Sequence, residues 1–303
     1  MKGLNRERSS YRTGIFYGVS AYSLWGLLPF YWKWLGSVSP AEILVHRGIW
    51  SLVVCLLFLK FAKKIKIFWG LIRDFRTFRI LAFASLLLTI NWGTFIWAVN
   101  ADRVVESALG YYITPLVTAS FGVFILKEQI RSAQRLALLI AGVGVVVLTA
   151  GYGALPWIAL VLASTWGSYS LIKKRLKLGA LDSLSVETFV ALFPSASYLI
   201  FLEIEGSASF GKSWGISLLL LTTGLATVTP LLFFNGATNR LPLVTVGLLQ
   251  YMTPTIMFFI GVGVNREDMN QIKLIGFICI WIALIILGRD LVKSGRTVDD
   301  RPN

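Results

Sequence analysis

The sequence predicts an all-α integral membrane protein, with ten transmembrane helices as two inverted five-helix repeats. Three observations carry this. Hydrophobic residues make up 56% of the 303 residues, with a mean hydropathy of +0.71, whereas soluble domains are about 45–50% apolar. Apolar runs of about 20 residues, enough to cross a bilayer core, recur from one end to the other. A patterned block also occurs twice: Tyr112, Thr114, Pro115, Gly122, Lys127 and Glu128 align without a gap with Tyr251, Thr253, Pro254, Gly261, Arg266 and Glu267, 139 residues further on.

The expected spans, in order, are 13–34, 42–61, 79–100, 104–126, 133–150, 154–173, 184–202, 214–236, 241–263 and 272–291. The first follows twelve polar and basic residues and is long enough to span, so it is read as a retained helix and not a cleavable leader. Cys55 and Cys279 lie inside apolar runs and act as small hydrophobes, with neither a disulfide framework nor a metal site expected. The connections are short except for Ala62 to Arg79, where Ile65, Ile67, Phe68, Trp69, Leu71 and Ile72 alternate with basic residues. That pattern suits either a helix lying on an anionic leaflet or an ordinary anchored loop. No segment is large enough for a soluble domain, so function is expected within the membrane.

The net charge of +14 is an orientation signal. With a cytoplasmic N-terminus, 23 of the 29 Lys and Arg residues fall on the cytoplasmic side and six on the other. Both termini are therefore expected in the cytoplasm, and a nucleic-acid partner is not.

The 139-residue offset equals five spans. Weaker matches accompany it: Ala21 to Gly26 with Leu162 to Gly167, Glu42 with Glu187, and Ala98-x-Asn100 with Ala237-x-Asn239. The chain thus divides into a first copy over 1–150 and a second over 151–303. Five is odd, so two copies in series cross in opposite senses, a plan that lets a central site open to alternate sides.

Counting along each span at about 1.5 Å per residue brings Trp25, Asn91-Trp92, Pro115, Trp166, Thr227 to Pro230 and Thr253 to one depth. A proline inside a helix removes a hydrogen bond and kinks the chain. Pro115 and Pro254 are thus either packing kinks or hinges beside a cavity with Tyr112 and Tyr251 on its wall. Trp25, Trp92 and Trp166, away from the interfaces where Trp concentrates, line a pocket or fill a core. Asn91, Asn100, Asn235 and Gln250 bind a solute or join helices. Ionisable groups within spans are costly and often functional. Glu42, His46 and Arg47 are therefore either a proton-coupling cluster or structural pairs at headgroup level, and Glu106 and Glu187 pose the same choice. Glu128 and Glu267, at span ends, suit capping. A single histidine and the absence of P-loop, G-x-S-x-G, C-x-x-C and H-E-x-x-H patterns give no enzyme signature and no ATP-driven machinery.

Three stretches then acquire a family resemblance: SPAEILVHRGIWS from Ser39, NWGTFIWAVNADRVVESALGYYITPLV from Asn91, and LLQYMTPTIMFF from Leu248. They resemble the RarD group of the EamA-type transporters in the drug/metabolite transporter superfamily, over about Gly14 to Leu291. The resemblance implies a ten-helix permease of the bacterial inner membrane. Its cavity would be bounded by spans one, three, four, six, eight and nine, and its solutes would be amino acids, other metabolites or drugs, often moved outward. Matching positions are Glu42, His46, Arg47, Asn91-Trp92, Trp97 to Asn100, Glu106, Gly110-Tyr111, Pro115, Gln250-Tyr251 and Pro254. Asn265-Arg266-Glu267 departs from the pattern, which has a small residue before the Glu.

The expected function is export of a small organic solute by alternating access, with Trp25, Asn91, Trp92, Tyr112, Thr114, Trp166, Gln250 and Tyr251 binding substrate. Pro115 and Pro254 are the expected hinges, and Glu42, His46, Arg47, Glu106 and Glu187 the candidates for coupling. The expected partners are a small-molecule substrate and the lipid bilayer, with no cofactor and no metal. The oligomeric state is left open, a monomer being compatible. The alternative is an integral-membrane enzyme acting on a lipid-linked substrate, and a third class is a membrane sensor or scaffold.

Overall fold

Each expected span is helical in a computed structural model of the chain, which describes residues 2–101, 103–150, 156–263 and 271–297. The helices are α1 (Lys2–Trp34), α2 (Pro40–Phe61), α3 (Ile65–Arg73), α4 (Phe75–Asn100), α5 (Val104–Ser120), α6 (Ser132–Ala150), α7 (Trp157–Leu176), α8 (Ala180–Ile204), α9 (Trp214–Thr238), α10 (Leu243–Leu249), α11 (Met252–Gly263) and α12 (Gln271–Thr297). A π-helical turn, Phe121–Ile125, extends α5. No strand occurs among the described residues. Asn265, Arg266, Glu267 and the Asn100 side chain lie outside the described residues.

Local chemistry sets the helix starts. Ser39 accepts the Glu42 amide at 3.2 Å and Pro40 fills the first position of α2, where a missing N–H costs nothing. Ser213 caps α9 in the same way through the Ile216 amide at 3.2 Å. Two helices take their caps from other spans. Glu106 accepts the Ile158 amide at 2.8 Å, at the start of α7. Glu128 accepts the Leu243 and Val244 amides at 2.7 and 3.0 Å, at the start of α10. Each carboxylate satisfies donors that the first helical turn leaves unpaired.

Span nine is broken where Pro254 requires it. That proline has no N–H and crowds the carbonyl of Gln250, four residues earlier. Regular helix stops at Leu249 and resumes at Met252, bridged by tight bonds from Tyr251 N to Leu248 O (3.3 Å) and Thr253 N to Gln250 O (3.1 Å). Pro115 instead sits within the continuous α5, and its copy loosens only at the π turn. The two copies therefore share a motif but not a backbone path.

The helix pairings are symmetric in a specific sense. α5 packs on α7 as α11 packs on α1; α1 on α9 as α7 on α4; and α2 on α9 as α8 on α4. The contacts α2 with α8, α5 with α10, and α6 with α12 join each helix to its counterpart five spans away. Exchanging counterparts maps this set onto itself.

Outward-facing positions carry Phe16, Leu57, Phe83, Leu139, Val146, Ile200 and Ile285, all exposed. Apolar surface on this scale belongs against lipid. Seven helical segments are long and apolar enough to cross a membrane among the described residues, one of them, Leu243–Ile260, running through α10 and α11. α1, α7 and α12 are not among the seven; in α1 and α7, Tyr, Ser, Trp and Gly residues and charged ends dilute the apolar character. The protein is a multi-pass membrane protein. The connection after α2 holds α3, anchored by the buried Phe68 against Phe189 while Ile65, Ile67 and Trp69 stay exposed.

Candidate functional site

A cavity of about 490 Å³ opens between α1, α2, α4, α5, α7 and α11. Trp25, Asn91, Trp92, Thr114, Trp166 and Gln250 line it, with Tyr22, Trp32, Arg47, Phe95, Tyr111 and Thr253. Its wall takes in residues near the end of α1, the start of α2, the end of α4 and the start of α5, so it reaches towards the α1–α2 and α4–α5 connections.

The floor is aromatic. Trp25 and Trp166 meet edge to face, 5.2 Å between ring centres at 83°. Phe234 of α9, fully buried, touches both at 5.8 and 5.3 Å. Tyr22 and Tyr169 complete the cluster around Phe234. The edge-to-face, tilted and stacked contacts suit the ring quadrupoles and fix Trp25, Trp166 and Phe234 by packing.

Most polar groups on the wall are committed to the protein. Asn91 Nδ2 donates to the Leu162 carbonyl at 2.8 Å and to Thr165 at 2.9 Å, tying α4 to α7. Thr114 donates to the Gly110 carbonyl at 2.6 Å, and Thr253 to the Tyr22 carbonyl at 2.9 Å. Gln250 donates to Thr118 at 3.3 Å, while its Oε1 and the Tyr22 hydroxyl have no hydrogen-bond partner among the described residues. Arg47 donates from Nε to Thr227 at 3.0 Å, with its guanidinium 5.1 Å from the Trp32 ring centre and 4.3 Å from that of Trp92.

Two expected wall residues are elsewhere. Tyr251 is fully buried and donates its hydroxyl to the Tyr112 carbonyl at 3.2 Å. Tyr112 turns towards α12, its ring 5.5 Å from Phe277. The reason is helix phase: successive residues on a helix point about 100° apart, so Gly110, Tyr111 and Thr114 face the cavity and Tyr112 does not. Arg47, read from sequence as either a coupling residue or a structural partner at headgroup level, lines the cavity, as do Tyr22, Trp32 and Tyr111. One signal was available for Tyr111. It precedes Pro115 by four residues, as Gln250 precedes Pro254, and both line the wall.

The ionisable candidates are dispersed. Glu42 is buried and accepts the Ser209 and Phe210 amides at 2.5 and 3.2 Å, with His46 3.9 Å away. His46 stacks on Phe210 and accepts from Trp50 at 3.1 Å. Glu106 pairs with Arg103 at 2.9 Å while capping α7. Glu187 is buried between Lys173, at 2.5 Å, and the Tyr169 hydroxyl, at 2.9 Å. None of these three carboxylates lines the cavity. Among the described residues no group of three His, Cys, Asp or Glu side chains could hold a metal ion.

A lipid-facing helical bundle surrounds an aromatic cavity built from both halves of the chain, the architecture of a multi-pass membrane protein with a central site. The chain belongs to the EamA-like transporter family, which matches it twice, over residues 12–150 and 155–289. It is 43% identical over 301 residues to a Streptomyces exfoliatus protein named RarD, covering 98% of this chain and 93% of that relative. It is 39% identical over 296 residues to a Bacillus subtilis (strain 168) protein named uncharacterized transporter YojE, covering 96% and 98%. A crystal structure of a protein 17% identical in sequence superposes with a TM-score of 0.71 over 93% of this chain and 99% of that one, a likeness of fold.

Proposed function

We propose that the protein is a secondary transporter that exports a small organic solute, with two inverted five-helix repeats, 1–150 and 151–303, rocking about the central cavity. In this reading ten helices span the bacterial inner membrane and both termini are cytoplasmic. The observation that carries it is the contact between Trp25 and Trp166, equivalent positions in the two copies, at the floor of the cavity. Wherever counterparts touch, a relative movement of the two copies must change the contact. The cavity then exchanges its open end for a closed one. The self-mapping helix pairings and the two family matches support the same reading. Pro254, at the break between α10 and α11, and Pro115, in α5, are the proposed hinges. Trp25, Asn91, Trp92, Thr114, Trp166 and Gln250 form the proposed solute wall, while Tyr112 and Tyr251 hold the copies together behind it. Coupling through Glu42, His46, Arg47, Glu106 or Glu187 would act through the packing of the two copies, except at Arg47, which reaches the cavity.

The test is counterflow in liposomes containing the purified chain, across a panel of amino acids and organic acids. At least one solute should exchange, and Trp25→Ala with Trp166→Ala should each cut that exchange about tenfold or more. Exchange of no solute, or full exchange by both variants, would overturn the reading.

A further inference from the structure

We propose that the cavity selects organic monocarboxylates, acids with a flat apolar body whose carboxylate sits on Arg47; this rests on the cavity being the transport site. Arg47 is the charged side chain on the cavity wall among the described residues. Its Nε is bonded to Thr227, and its guanidinium carbon lies 5.1 and 4.3 Å from the ring centres of Trp32 and Trp92. These contacts orient the guanidinium and leave its Nη edge for a planar acceptor, since a guanidinium binds a carboxylate through two parallel N–H donors.

Two other cations of the bundle are paired with carboxylates. Arg103 has Glu106 at 2.9 Å, and Lys173 has Glu187 at 2.5 Å. Arg47 has no carboxylate partner among the described residues; its polar contact is the Thr227 hydroxyl. An arginine cannot shed its proton in a protein, and a buried charge is costly unless it is paired. The wall therefore carries a standing positive charge that an anionic solute neutralises.

The rest of the wall narrows the class. No Asp or Glu is on it to hold an ammonium group, so a zwitterion gains less than a simple acid. Trp25, Trp92 and Trp166 offer flat faces for the body of the solute. A cavity of about 490 Å³ is in the usual range for one small organic molecule. A small inorganic anion would leave most of that aromatic surface uncovered.

The experiment compares four probes with one phenyl body: 3-phenylpropanoate, phenylalanine, 2-phenylethylamine and 3-phenylpropan-1-ol. The full chain in nanodiscs at neutral pH is titrated by tryptophan fluorescence, and proteoliposomes report exchange. The acid should bind roughly tenfold or more tightly than the alcohol, as expected for a charge-assisted hydrogen bond. Arg47→Gln should erase that preference while alcohol binding persists, which also shows the variant is folded. Arg47→Lys should keep part of it. The wild-type ranking stands as a test even if a variant fails to fold. Alcohol or amine binding as tightly as the acid, no saturable binding of the acid, or an undiminished preference in Arg47→Gln would overturn the proposal. Acid that binds but is never exchanged would sink the transport reading and leave the carboxylate site. Exchange of the alcohol and amine without the acid would do the reverse.

Discussion

The hydroxyl of Tyr251 donates to the main-chain carbonyl of Tyr112 at 3.2 Å, and the two tyrosines occupy the same place in the two copies of the Tyr-x-Thr-Pro block. One counterpart gives a side chain and the other only its backbone, so the contact is unequal. Tyr251→Phe is expected to cost about 1 kcal/mol, the usual net worth of such a bond. Tyr112→Phe leaves the bond intact and should change stability by less than about 0.5 kcal/mol. Thermal unfolding of the two variants in detergent checks this; equal losses would mean the bond is not what joins the copies.

Trp25 and Trp166 form the more equal contact, ring against ring. Their energies should not add. A double-mutant cycle with Trp25→Leu and Trp166→Leu should give a coupling of about 0.5–1.5 kcal/mol in unfolding free energy, the range for aromatic pairs. A coupling of zero would show that each ring packs independently on Phe234.

The Lys173–Glu187 pair lies with both side chains almost wholly buried, 4% and 1% exposed. Removing one partner strands the other charge. Glu187→Ala is expected to lose about 3–5 kcal/mol, and the double replacement Lys173→Met with Glu187→Met much less, since desolvation then disappears with the charges. Yield of folded protein and melting temperature distinguish the two. A double variant worse than Glu187→Ala would show that the pair contributes net stability.

Gly224 marks where α9 crosses α2 at closest range. A Cβ there would stand 2.4 Å from the carbonyl carbon and oxygen of Trp50, backbone atoms that cannot rotate away. Gly224→Ala should destabilise by at least about 2 kcal/mol, at the upper end of overpacking costs. Gly142→Ala, with nothing within 4 Å of the added carbon, should be neutral or slightly stabilising because alanine favours helix. Similar melting temperatures for both would mean α2 and α9 are less tightly apposed.

Much of the frame was legible along the chain. Apolar length marked the runs that became α1, α2, α4 to α9 and α12, and the single run 241–263 that holds α10 and α11. The prolines of the repeated block read alike, as kinks or hinges, and a break accompanies only the second. Trp25, Asn91, Trp92 and Trp166 were recognisable as residues sharing a depth, Thr114 and Gln250 as polar groups beside the two prolines, and the cavity is lined by them. Depth follows from counting residues. Direction around the helix axis does not, because in a helix packed on several neighbours no simple polar stripe records which face meets which. That is why Tyr112 was assigned a wall that Tyr111 occupies.

By itself the sequence determined that this is a membrane protein of repeated helices, because apolar length, charge bias and a duplicated motif are properties of the linear chain. Tertiary structure alone decided which partners the ionisable groups take. Glu106 and Glu128 reach other spans to cap helices, Glu187 is enclosed with Lys173, and Arg47 lies beside two tryptophans on the cavity wall. The worth of a charge inside a membrane depends on its partner, and the partners lie far away in sequence: 52 residues separate Glu106 from Ile158, and 180 separate Arg47 from Thr227.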